Sequence, residues 1–185
     1  MIIFYVQKEN RFPNIDAAVL VDMHPIYIQN LIEQSSLQLN ISQEQAEKHT
    51  IDLVVNQTKA LMELNEKNIP VYSIQMKGAG MLESTLQENV FFDKTYFKRP
   101  VHGDLSWKFQ FSLDMLEKKH KNIMTAGLYL GDCINDVNSL LNGNNIDVFT
   151  PADLVDDPEI FQYSSFDTVN RATFNYVHSY KELLK

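Results

Sequence analysis

Short apolar runs alternate along the chain with longer segments in which apolar residues recur every three or four positions. The run at residues 17–21 is apolar throughout, which is typical of a strand buried on both faces of a parallel sheet. Further strands are predicted at residues 69–75, 90–92, 123–130 and 146–149, and helices at residues 42–67, 109–120 and 166–184. This order predicts a three-layer, Rossmann-like α/β fold with helices on both faces of a parallel sheet.

Two of these helices carry more specific expectations. Ser42 followed by Gln45 has the spacing of a capping box, so a helix should begin there. In the helix at residues 109–120, the spacing of Phe109, Leu113 and Leu116 predicts that these side chains face the core.

The chain has 185 residues, a formal net charge of −8 and one cysteine. Its length suits a single domain over residues 1–185. The negative charge argues against nucleic acid as a partner, because phosphate binding requires clustered Lys and Arg. One cysteine excludes an internal disulfide, and the sequence contains neither a long apolar span nor a leader pattern. A cytoplasmic protein that does not bind membranes is expected.

The single cysteine, Cys133, lies where a predicted strand ends and a predicted helix begins. Gly131 and Asp132 break the strand, and Ile134 and Val137 begin the helical spacing. The first turn of a helix offers unpaired N–H groups and a positive dipole end, which favour a thiolate and can hold an oxyanion. The alternative is that Cys133 is a small apolar core residue, as most lone cysteines are.

Two charged residues are predicted at the same edge of the sheet as Cys133. Asp22 directly follows the run at residues 17–21, and Lys94 follows the run at residues 90–92. Carboxyl ends of parallel strands share one edge, so all three residues could meet in one crevice. An Asp can exchange protons with a thiol, and a nearby ammonium favours the thiolate. Asp22 could equally begin a turn or cap the next segment.

Four segments resemble those of the isochorismatase-like cysteine hydrolases, a family that includes the nicotinamidases. Residues 19–23 resemble the first strand with its catalytic Asp, and residues 91–94 the strand that delivers the catalytic Lys. Residues 127–134 match the pattern of a glycine, a six-residue step, a cysteine and an aliphatic residue. Residues 146–153 resemble the strand and acidic segment that follow.

The resemblance implies a six-stranded parallel sheet and a catalytic triad of Asp22, Lys94 and Cys133. Cys133 would attack the carbonyl of a small amide and form a thioester, with Asp22 as acid and base and Lys94 balancing the charge. An apparent insertion after Lys94 makes Lys98 the second candidate for the lysine. The resemblance also implies a homo-oligomer and a small-molecule substrate without a cofactor. The residues suggested for the pocket wall are His24, Tyr96 and Leu130.

Asp22 and His24 have the spacing of the Asp-x-His pair that holds a metal in nicotinamidases. They belong to the strand of the catalytic Asp, however, and no second histidine follows in the corresponding loop. The sequence therefore predicts no catalytic metal and does not favour nicotinamide as the substrate.

Two alternatives to an active cysteine hydrolase remain. Leu130, Gly131 and Val137 depart from the residues usual around the family's cysteine, which suggests an inactive member that binds small molecules or assembles with other chains. A haloacid-dehalogenase-like phosphatase would need a second Asp two residues after Asp22, and His24 occupies that position.

Overall fold

A sheet of parallel strands lies at the centre of the molecule. The computed structural model describes residues 13–38, 40–99, 105–128, 133–156 and 175–184. The strands are β1 (Ala17–Val21), β2 (Val71–Met76), β3 (Lys94–Lys98), β4 (Asn122–Leu128), β5 (Asp147–Pro151), β6 (Val155–Asp156) and β7 (Asn175–Val177). The helices are α1 (Pro25–Gln38), α2 (Gln43–Glu66), α3 (Ser84–Asn89), α4 (Ser106–Glu117) and α5 (Asn135–Gly143).

The strand order is β3-β2-β1-β4-β5-β7. Each pair of neighbouring strands is parallel, and the short β6 pairs with β4 beyond the end of β5. β1 lies at the centre and is buried along its whole length. The chain proceeds from β1 outward to β2 and β3, then returns to place β4 on the other side of β1. The predicted α/β fold with six parallel strands and helices on both faces is therefore confirmed, with β6 as an addition.

Alternate residues of β1 face two separate cores. Ala18 and Leu20 pack with residues of α1, α2 and α3, such as Leu31, Leu61 and Leu86. On the other face, Ala17, Val19 and Val21 pack with residues of α4 and α5, such as Phe111, Met115 and Leu141. A strand with an apolar core on each face needs a continuous apolar sequence, which explains the run at residues 17–21.

The local signal for the start of α2 is confirmed. Ser42 Oγ accepts a hydrogen bond from the backbone N–H of Gln45, and the Gln45 side chain accepts one from the N–H of Ser42. The helix ends near Asn68, whose left-handed φ of 56° reverses the chain toward β2.

Three expectations about the elements are wrong. The closing helix expected at residues 166–184 is not formed over residues 175–184, which contain β7 and a 3₁₀ turn at Tyr180–Glu182, and residues 157–174 lie outside the described residues. The third strand begins at Lys94 rather than at residue 90. In α4 the buried side chains are Trp107, Phe111 and Met115, whereas Phe109, Leu113 and Leu116 are exposed.

None of the helices in the described parts of the chain has the length and apolarity needed to cross a membrane.

Gly127 allows β4 to approach β1 closely at the end of both strands. Its φ is +149°, and a Cβ there would lie 2.3 Å from the carbonyl oxygen of Val21. We expect Gly127→Ala to lower the free energy of unfolding by about 2–5 kcal/mol, since backbone strain and overpacking each cost about 1–3 kcal/mol.

Urea denaturation checks this expectation, with Gly143→Ala as the control. A Cβ at Gly143 meets no atom within 4 Å, and this residue ends α5, so alanine there should be neutral or should stabilise by up to about 1 kcal/mol. Equal effects of the two substitutions would contradict the role given to Gly127.

His49 on α2 and Asp156 on β6 form an ion pair of 3.2 Å, in which the carboxylate is almost completely buried. The hydrogen bond that His49 donates to Asp156 raises the pKa of His49; burial and Lys48 oppose this shift, and the charges of Asp156 and Asp52 add to it. A raised histidine pKa contributes stability that is complete below the ordinary value of about 6.5 and disappears as the pH rises through the folded-state value.

We therefore expect His49→Gln to destabilise the protein more at pH 5.5–6 than at pH 9. Urea denaturation of wild type and variant at both pH values measures the difference. A destabilisation that does not change with pH would show that the ion pair contributes nothing.

Candidate functional site

Asp22 holds a buried carboxylate at the carboxyl end of the central strand. Its backbone N–H continues the sheet by donating to the carbonyl of Ile74 at 2.9 Å, and its φ of 54° is left-handed, which is uncommon for a non-glycine residue. The side chain is only 1% exposed. Burying an ionised carboxylate is unfavourable unless a cation or hydrogen bonds compensate, so Asp22 requires a partner.

That partner is Lys98, the last residue of β3. Its ammonium forms an ion pair with Oδ2 of Asp22 and lies 3.4 Å from Sγ of Cys133. The lysine side chain is 13% exposed, so little water screens its charge from either group. Lys98 therefore joins the carboxylate and the sulfur in one cluster.

The charge of Lys98 is set by two opposing effects. Burial favours the neutral amine, but the nearby charges of Asp22 and Cys133, with the hydrogen bonds to both, raise the pKa of Lys98 above its usual value. Lys98 therefore remains an ammonium at neutral pH and cannot serve as a base. Of these three residues, Asp22 is the one suited to exchange a proton with the sulfur or with a bound molecule.

Cys133 and Ile134 lie in a π-helical turn that continues into α5. Cys133 is partly buried and packs against the core on the α4 and α5 side of the sheet. A sulfur close to an ammonium and at the start of a helix is in the type of electropositive, partly exposed environment that favours a reactive thiolate. The segment at residues 129–132, which includes Leu130, lies outside the described residues.

Lys94 is not part of this cluster, which corrects the expectation for the lysine. It begins β3, forms an ion pair with Asp114 of α4 and is 42% exposed. Lys94 and Lys98 lie on the same face of the strand, four residues apart and hence about 13 Å apart along it. The second candidate, Lys98, is the lysine that the structure brings to Asp22 and Cys133.

The register of β3 explains this error. The apolar residues 90–92 precede the strand, and Asn65 of α2 exchanges two hydrogen bonds with the backbone of Phe91. The strand starts only after Asp93, whose carboxylate accepts a hydrogen bond from the N–H of Val71 at 2.9 Å. The apolar run therefore connects α3 to β3 and does not itself join the sheet.

His24 and Tyr96 were expected in a pocket wall, but both are buried inside the protein. Nε2 of His24 accepts a hydrogen bond from the N–H of Met76 at 3.2 Å, so Nδ1 carries the proton and faces the carbonyl of Met81 at 3.3 Å. His24 thus ties the segment between β1 and α1 to the end of β2 and to the loop that follows it. Tyr96 packs edge to face on Phe111 and donates its hydroxyl to Asp114.

Tyr27 lies near the cluster and was not predicted. Burial is the main cause of its raised pKa, followed by the charge of Asp22, while Lys98 lowers it and Cys133 raises it. Its phenol is therefore within electrostatic reach of all three groups. The sequence signal that could have placed Tyr27 near the site is its position in the first turn of α1, the helix that follows Asp22.

Gln57 supports the site from α2 and was also not predicted. Its fully buried side chain donates to the carbonyl of Gly127 at 3.2 Å and to that of Leu154 at 2.9 Å. These bonds hold the end of β4, from which the chain proceeds to Cys133. The sequence signal that could have indicated this role is the polar Gln57 among the apolar residues on the inner face of α2.

The described residues contain no group of three or more His, Cys, Asp or Glu side chains arranged to hold a metal ion. The two nitrogens of His24 face Met76 and Met81, so the Asp22-x-His24 spacing does not form a metal-binding pair here.

Asp22 and Cys133 follow the carboxyl ends of the neighbouring strands β1 and β4. At this point the strand order reverses, because the chain passes from β1 to β2 on one side and later places β4 on the other side of β1. In open parallel sheets this switch point, beyond the carboxyl ends of the strands, is the usual location of a ligand site. Solved structures with this fold include proteins of the isochorismatase family, and the chain shares its fold with them.

Three solved structures illustrate the similarity. MAR1 ribonuclease from Caenorhabditis elegans is 15% identical with a TM-score of 0.65, over 93% of this chain and 81% of that one. The YcaC gene product from Escherichia coli, an octameric hydrolase of unknown specificity, is 16% identical with a TM-score of 0.62, over 94% and 81%. An isochorismatase from Pseudomonas putida is 11% identical with a TM-score of 0.62, over 89% of each chain.

Comparison at the level of sequence finds no further relative. No protein-family sequence model matches the chain, and no curated protein sequence matches it.

The two lysines of β3 allow a matched test of the cluster. We expect Lys98→Met to slow alkylation of Cys133 by iodoacetamide at pH 7 at least about ten-fold, because it removes the cation beside the sulfur and leaves Asp22 unneutralised. Lys94→Met, on the same strand and the same face, should change the rate by less than about two-fold.

Mass spectrometry of the alkylated peptide measures both rates, and circular dichroism checks that each variant is folded. Equal rates in wild type and Lys98→Met would mean that Lys98 does not control the reactivity of the sulfur.

Proposed function

We propose that this protein is an isochorismatase-like cysteine hydrolase that cleaves a C–N bond of a small amide through a thioester on Cys133. The observation that carries the proposal is the contact of one ammonium, that of Lys98, with both the buried Asp22 carboxylate and the Cys133 sulfur. A nucleophile, a proton carrier and a fixed positive charge are the groups that this chemistry requires.

In the first half of the reaction, Asp22 takes the thiol proton and the Cys133 sulfur attacks the amide carbonyl. The carbonyl π electrons move to the oxygen, and the positive end of the helix that begins near Cys133 favours this negative charge. The intermediate collapses, its C–N bond breaks, and the amine leaves with the proton held by Asp22. A thioester remains on Cys133.

In the second half, Asp22 takes a proton from water while the water oxygen attacks the thioester carbonyl. The C–S bond then breaks, the carboxylic acid leaves, and the proton held by Asp22 returns to the sulfur. In the resting site Lys98 is an ammonium: burial lowers its pKa, but the charges of Asp22 and Cys133 and the hydrogen bonds to both raise it further. Its role is to stabilise whichever of Asp22 and Cys133 is negative at each step.

An RNA substrate, as the name of the MAR1 neighbour would suggest, is less consistent with this chain. A ribonuclease binds a polyanion, whereas this protein has a formal net charge of −8. A small neutral or weakly charged amide does not face this repulsion. The proposal therefore includes a small-molecule substrate. It also includes a reaction without a cofactor, a location in the cytoplasm and, by analogy with the octameric YcaC protein, a homo-oligomer.

The experiment is a screen of small amides and carbamoyl compounds for release of ammonia or amine, with intact-protein mass spectrometry to detect the acyl adduct. We expect Cys133→Ala to abolish turnover and the adduct. Asp22→Asn and Lys98→Met should lower kcat/KM by roughly 10²–10⁴-fold, the range typical of a lost acid–base or charge-stabilising group. Lys94→Met is the matched control and should retain turnover.

A different result would favour the inactive binding module. In that case Cys133 would react with iodoacetamide no faster than a free thiol, and Lys98→Met would leave this rate unchanged. Small amides would then shift the melting temperature without being turned over.

A further inference from the structure

Helix α4 has apolar side chains on two faces, although only one faces the core. Trp107, Phe111 and Met115 are buried against the sheet. The opposite face carries Leu105, Phe109, Leu113 and Leu116, which are 66%, 72%, 39% and 49% exposed and are called the outer stripe. Burial in the described fold therefore accounts for one face of the helix and leaves the outer stripe unexplained.

The outer stripe is large enough for a protein interface. With about 200 Å² for a fully exposed large apolar residue, these exposures amount to roughly 450 Å² of apolar surface on each chain. The largest apolar patch on a typical monomer measures about 300–600 Å² and is often functional. Since a typical interface is about 57% apolar, a core of this size corresponds to about 800 Å² per partner, the standard size for a stable complex.

Its composition also fits the core of an interface. The stripe contains no charged residue; it is bordered on the helix surface by Ser106 and Ser112 and, at its rim, by the charged Lys108 and Glu117. Charged side chains are depleted in interface cores and are expected on a solvated helix face. A partner made largely of apolar side chains is therefore indicated.

The residues of the outer stripe have nearly the same spacing whichever way the helix is read, from its first residue or from its last. Leu105 and Leu116 lie nearly equidistant from Phe111, and so do Phe109 and Leu113. A second α4 running in the opposite direction would place Leu105 opposite Leu116 and Phe109 opposite Leu113. A surface that complements itself in this way is suited to a two-fold interface, where the same patch is used by both subunits.

We propose that the outer stripe of α4 is a two-fold interface with a second copy of this chain, in which the two α4 helices pack antiparallel. The proposal concerns the face of α4 that points away from the sheet, and it does not depend on the proposed hydrolase activity. It assigns the surface through which copies of the chain associate.

The first experiment measures mass in solution by size-exclusion chromatography with light scattering. Wild type should have a mass that is an even multiple of 21.4 kDa, the mass of one chain. The double variant Phe109→Gln/Leu113→Gln should have half that mass or less, with an unchanged circular dichroism spectrum. The control is Leu37→Gln on α1, which removes an apolar residue that is 81% exposed and should leave the mass unchanged.

The second experiment tests the direction of the helices. Phe109→Cys and Leu113→Cys are prepared separately in a Cys133→Ser background, then mixed and oxidised. Because Phe109 of one chain should face Leu113 of the other, the mixture should give at least about ten times more covalent dimer than either variant alone.

Three results would overturn the proposal. Wild type could be a monomer at protein concentrations up to about 100 μM, which would mean that another part of the same chain, or nothing, covers the stripe. The double variant could keep the wild-type mass. The mixture could cross-link no better than the separate variants, which would exclude the antiparallel arrangement.

Discussion

The geometry of the site depends on the burial of the Asp22 carboxylate. A charge placed at the end of the central strand, almost without contact with water, would destabilise the fold unless a cation reached it. Lys98 supplies this cation from β3, which is separated from β1 by β2. The same ammonium contacts Cys133 at the start of α5, so one buried charge connects β1, β3 and α5.

This ion pair depends on the backbone around it. Gly127 lets β4 approach β1, and Gln57 bonds the carbonyl at that point, so the chain leaves β4 toward Cys133 from a defined position. His24 ties the segment after Asp22 to the loop after β2. The polar groups that hold the site are thus mostly buried and hydrogen-bonded to backbone, which favours a single arrangement of the three reactive groups.

Helix α4 shows why apolar periodicity alone does not identify the inner face of a helix. Both of its faces carry the spacing of a buried stripe, and the choice of Phe109, Leu113 and Leu116 as core residues was wrong. The inner face is decided by the aromatic residues that fit against the sheet, where Phe111 packs on Tyr96. Our interpretation is that the second stripe serves contacts between chains rather than the core of one chain.

The sequence by itself determined the α/β order and the positions of Asp22 and Cys133, because these features depend on local signals. The five-residue apolar run that precedes Asp22, and the glycine that breaks the apolar run before Cys133, both lie within a few residues of the site residue that they place. Only the tertiary structure decided that Lys98 rather than Lys94 reaches Asp22, and that the charges of this cluster act on Tyr27. The identity of the lysine depends on the register of an edge strand, which is set by hydrogen bonds from α2 and β2 to the residues just before it. Such contacts join residues more than 20 positions apart, and no local pattern in the chain records them.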